Sequence, residues 1–69
     1  MDIEELLEEH TVSSGEFSYG GRDGVLYRLD RLLSPDARRE LSDMDGVQTF
    51  VVRCEYAPEI VRTGVFVAD

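Results

Sequence analysis

The sequence predicts a small α+β fold in a single domain spanning residues 1–69. Its expected parts are a short N-terminal helix, one or two central helices and a C-terminal antiparallel β-hairpin, with an extra edge strand near 16–19. Three observations lead there. Apolar residues recur at helical spacing near the N-terminus. Ser34-Pro35-Asp36 has the chemistry of a helix start. Two runs rich in β-branched residues flank Pro58.

Asp2 to His10 reads as the first helix. Ile3, Leu6, Leu7 and His10 fall on one face, Asp2 suits the N-cap, and the early glutamates suit the positive end of the helix dipole. Two turns are not stable alone, so Leu6 and Leu7 must dock on other elements. Thr11 to Gly24 is less defined. Glu16 to Tyr19 alternates like a short strand, and Gly20-Gly21-Arg22-Asp23-Gly24 reads as a turn or a helix lead-in.

For Val25 to Leu33 the helix is preferred, because Val25, Leu26, Leu29, Leu32 and Leu33 form an apolar stripe at helical spacing. The competing reading makes residues 25–29 the return strand of a hairpin around the glycines. Ser34 then suits an N-cap and Pro35 the first turn of a helix running to about Asp43, with Ala37, Leu41 and Met44 on its buried face. Gly46 ends it.

The hairpin is expected over about 47–56 and 61–68, with the loop at residues 57–60. That register sets Cys54 against Thr63, Val52 against Val65 and Phe50 against Val67. It makes one face apolar and pairs Glu55 with Arg62 and Val51 with Phe66 on the other.

Charge says more about environment than about activity. The chain has seven arginines, no lysine and fifteen acids, for a formal net charge of −8. Dense carboxylate with arginine as the only strong base predicts a protein of an extreme halophile of haloarchaeal type. Molar salt shortens the Debye length to about 3 Å and relieves the self-repulsion. The acidic N-terminus has no signal-peptide character, and no apolar run approaches the ~20 residues of a membrane span. A cytoplasmic protein without membrane contact is expected. Residues 17–39 hold five arginines against three aspartates and are the only segment of net positive charge.

Catalytic signals are sparse, so no enzyme, cofactor or metal is predicted. The one cysteine, Cys54, excludes an internal disulfide and a cysteine-based zinc site, and its place on the apolar face predicts an inert hydrophobe. His10, at a helix end, reads as packing or capping. Glu4, Glu5, Glu8 and Glu9 read as a solvated face rather than a cation site.

Two function classes remain. The first is a non-catalytic protein-interaction or regulatory module. It acts as a homodimer through the hairpin and its exposed pair Val51 and Phe66, because a β-rich edge in so small a chain needs covering. The second is a nucleic-acid-binding regulator using Tyr27, Arg28, Arg31, Arg38 and Arg39. In its favour, the run Gly24-Val25-Leu26-Tyr27-Arg28-Leu29-Asp30-Arg31-Leu32 resembles the recognition-helix segment of winged-helix regulators of the PadR or Fur type. The resemblance covers nine residues, and it implies a helix there with the C-terminal hairpin as a wing. The chain departs from that pattern at Ser34-Pro35, where a further helix replaces the usual strand entry.

Overall fold

In the computed structural model, which describes residues 2–69, helices make up much less of the chain than its apolar spacing suggests. The elements in order are α1 (Ile3–His10), β1 (Thr11–Tyr19), β2 (Arg22–Leu29), α2 (Pro35–Ser42), β3 (Val47–Arg53) and β4 (Val61–Ala68). The strands form one antiparallel sheet in the order β1-β2-β4-β3. Both β2 and β3 pair antiparallel with β4, so they run parallel to each other and α2 carries the crossover between them.

The two helices begin where their caps place them. Asp2 accepts hydrogen bonds from the amides of Glu4 and Glu5 at 3.1 and 3.3 Å. Ser34 accepts from the amide of Ala37 at 3.2 Å, with Pro35 in the first turn.

The expected layout of helices followed by one hairpin is corrected by β2. Val25 to Leu29 is not helical, and the segment resembling a recognition helix is a central strand of the sheet. Leu26 is buried on the open face and Leu29 in the helix-covered core on the other, so the strand reads as a nearly continuous apolar run. Here Leu26 points to one face while Val25 and Leu29 point to the other. Leu32 and Leu33, at helical spacing in the sequence, lie beyond the strand, where Leu33 turns inward and Leu32 stays exposed. The decisive local signal is Gly20-Gly21. Both residues have positive φ, 61° and 78°, and they join Tyr19 to Arg22 as a two-residue hairpin loop. That conformation matches the right-handed twist of the flanking strands and suits glycine. The edge strand expected near 16–19 is the distal half of the longer β1.

The C-terminal hairpin is also corrected, in register. Val51 pairs with Thr63, Thr49 with Val65 and Val47 with Val67. β3 ends at Arg53, and the loop takes in Cys54 to Ile60. The Cys54 amide donates to the Ile60 carbonyl at 3.0 Å and the Ile60 amide to the Ala57 carbonyl at 2.8 Å. Arg53 Nη1 donates to the Pro58 carbonyl at 2.9 Å. These bonds make a longer, internally bonded loop than residues 57–60 alone could form. β3 therefore slides by an odd number of residues, which exchanges its faces. Cys54 leaves the strand, and Glu55 and Arg62 form no ion pair among the described residues.

Both helices cover one face of the sheet. Leu29, Leu41, Val47 and Val65 form the core there, with Ile3, Leu6, Leu7, Leu33 and Val67 packed around them. Thr63 is fully buried yet satisfied. Its hydroxyl accepts from the Leu33 amide at 2.8 Å, and its amide donates to the Arg31 carbonyl at 3.0 Å. The loop after β2 is thereby sewn to β4, which seats Leu33. The other face of the sheet carries no helix.

Candidate binding face

Paired residues share a face, so the register defines the helix-free surface row by row. Tyr19 and Arg22 form the row at the hairpin tip. Phe17, Gly24 and Ala68 follow, then Gly15, Leu26, Phe66 and Gln48, then Ser13, Arg28, Gly64 and Phe50. Arg62 and Val52 complete it at the far end.

Four rings cluster on this surface. Phe17 meets Phe50 and Phe66 edge-to-face at centroid distances of 6.0 and 5.8 Å, and Tyr19 meets Phe50 and Phe66 at 5.1 and 6.2 Å. Such T-shaped pairs are favourable beyond their area burial. They explain how Phe66 is only 3% exposed with no helix above it, while Tyr19 remains 46% exposed. Phe17 and Tyr19 come from one edge strand and Phe50 from the other. Gly24 and Gly64, lying between them, put no side chain in the way.

The charge on this face opposes that of the molecule. Its strand positions carry Arg22, Arg28 and Arg62 and no carboxylate, in a chain of net charge −8. Among the described residues none of these three arginines is in an ion pair. A cleft at one end is lined by Arg28, Arg53 and Arg62 together with Ser13, Cys54, Tyr56 and Glu55, the last being its one acid. A second cleft at the opposite end is bounded by Tyr19, Arg22, Gly46, Gln48 and Phe66.

The residues singled out from the sequence are not brought together. Val51 is 53% exposed, but it shares the helical face with Thr63, whereas Phe66 lies on the open face beneath the rings. They make no common patch, and a charge at Phe66 would disrupt the ring cluster rather than probe a surface. Of the alternative set, Arg28 is on the open face and Tyr27 on the helical face. Arg38 and Arg39 belong to α2. Arg31 is engaged by Asp30, with Nε 2.8 Å from Oδ1. The Arg31 guanidinium, hydrogen-bonded to Asp30, holds that carboxyl below the usual aspartate range, against a smaller opposing effect of desolvation. His10 joins the same knot. Its Nδ1 lies 3.4 Å from Asp30 Oδ1, and its carbonyl accepts from the Asp30 amide at 2.8 Å. This knot ties the end of α1 to the end of β2.

Sequence reasoning passed over Arg22, Arg62, Phe17, Tyr19 and Phe50 as a set. The available signal was alternation: Phe17 and Tyr19 before Gly20-Gly21, and Arg22, Leu26 and Arg28 at even spacing after it. No group of three or more His, Cys, Asp or Glu side chains is placed to hold a metal among the described residues. No described helix is long and apolar enough to cross a membrane. In comparison with known proteins, no family model matches the chain, and neither a curated protein nor a solved structure matches it.

Proposed function

We propose that this protein is a non-catalytic interaction module of a high-salt cytosol, and that its helix-free sheet face receives an anionic partner. The observation that carries the reading is charge segregation. The strand positions of the one sheet face without helices carry three arginines and no carboxylate, beside the exposed rings of Phe17 and Tyr19, on a molecule that is otherwise strongly acidic. Interface centres are enriched in aromatic residues and arginine, and depleted of acids. The carboxylates outside this face repel anions, so they orient such a partner toward it.

The test is capture from a native lysate in molar KCl by the tagged chain and by two double variants. Arg28→Glu with Arg62→Glu should abolish the specific capture. Arg38→Glu with Arg39→Glu, on α2, should leave it intact. Equal capture by all three forms would end the reading. Far-UV circular dichroism of each form, in molar KCl and in dilute buffer, serves as the folding control. A fold retained only at high salt is the expected behaviour of so acidic a surface.

A homodimer is a second reading, favoured by the uncovered edge of β3 and by Val51 beside it. Like charge on the open face disfavours two copies joining through that face, so β3 pairs with its symmetry mate through the edge. Light scattering in molar KCl should then give twice the chain mass, and Val51→Lys should return it to the monomer value. A monomeric mass for the unaltered protein would remove this reading.

A further inference from the structure

We infer that the occupant of the open face is single-stranded nucleic acid, an inference that rests on the interaction-module reading above. Two chemistries meet on this face, and both are needed by that ligand. Guanidinium groups without carboxylate partners bind phosphate through a planar fork. Exposed rings stack unpaired bases, whichever base is present.

Their arrangement suits a strand lying across the sheet. Arg28, Gly64 and Phe50 occupy one row, with glycine between the cation and the ring. Two strand spacings separate the ends of that row, roughly 10 Å. A phosphate at Arg28 therefore leaves its base to reach Phe50 across the Leu26 and Val52 side chains that close over the buried Gly64. From there the ring cluster leads to Tyr19 and Phe17, and Arg22 stands beyond it for a further phosphate. Arg62, in the cleft with Arg28, receives the phosphate on the other side.

A duplex hides its base faces and gains nothing from the rings, so single strands are selected. An acidic polypeptide would use the arginines but leave the ring faces without stacking partners. With at most three phosphates neutralised by the face, the slope of log affinity on log salt should be no steeper than about −2. Stacking is not a counterion effect, so binding persists in molar salt.

The test is fluorescence anisotropy in molar KCl with labelled oligothymidylate and oligouridylate of about 12 nucleotides, their duplex counterparts, and polyglutamate. Single strands should bind and duplexes should not. Tyr19→Leu and Phe17→Leu keep apolar bulk and remove a ring face, and each should weaken binding by about 5- to 150-fold. Arg28→Gln with Arg62→Gln should weaken it further. Chemical-shift changes confined to the open face of the unaltered protein give the same answer without a variant that might misfold. Failure of both oligonucleotides to bind, or binding indifferent to these substitutions, overturns the inference. Polyglutamate binding that depends on Arg28 and Arg62, without oligonucleotide binding, also overturns it but keeps the interaction module. If no probe binds and the lysate capture is unchanged by the arginine reversals, both readings fall.

Discussion

Gly24→Ala is expected to destabilise the domain by about 3 kcal/mol or more, at the upper end of what overpacking costs. A β-carbon at Gly24 would collide with the carbonyl oxygen of Val67 and come within 2.7 Å of the Ala68 α-carbon. Both are backbone atoms of β4, the strand that Gly24 pairs with, and they cannot move aside without breaking the ladder. A domain of this length has a total stability of roughly 3–10 kcal/mol, so the variant should be largely unfolded or close to it. Gly15→Ala is the control. It is on the same face, in a strand of the same sheet, and a β-carbon there meets nothing within 4 Å. It should be neutral, or gain a few tenths of a kcal/mol from a stiffer unfolded chain. Urea denaturation followed by circular dichroism in molar KCl compares the two. Equal stabilities would mean that β2 and β4 do not approach each other at this point.

Leu29→Ala should cost about 2–5 kcal/mol, the range for a buried leucine replaced by alanine. Leu29 is 0% exposed and sits in one cluster with Leu41, Val47 and Val65, beside the apolar side chains of α1. None of these neighbours can fill the vacancy without leaving its own strand or helix. Leu32→Ala, three residues on, should change stability by no more than about 0.5 kcal/mol, because Leu32 is 46% exposed. A helical stripe would put both leucines on one buried face and make the two losses similar. Equal losses would therefore restore the helical reading of this segment and remove β2 from the sheet.

These two positions also show where sequence reasoning stops. The apolar run from Val25 to Leu29 carries no periodicity that separates a central strand from a helix. Its membership in the sheet is decided by β1 on one side and β4 on the other, and by a Gly-Gly turn whose geometry favours a hairpin. The register of β3 against β4 was equally out of reach. Arg53 holding the Pro58 carbonyl and Cys54 bonding to Ile60 lengthen the loop, and every β3 side chain moves to the opposite face. The candidate site depends on strand pairing in the same way. Arg22 and Arg28 share β2, and Arg62 joins them only once the pairing of β2 with β4 is known.

The sequence by itself determined the local features: the caps at Asp2 and Ser34-Pro35, the amphipathic docking face of α1, and a strongly acidic charge balance. These follow from neighbouring residues acting on their own backbone, or from composition alone. The tertiary structure decided that Val25 to Leu29 is a central strand, that β3 pairs three residues away from its most apolar register, and that rings and arginines share one uncovered face. Those outcomes depend on which strand lies beside which. Because side chains alternate with a period of two, each pairing sets the exposure of a whole strand at once.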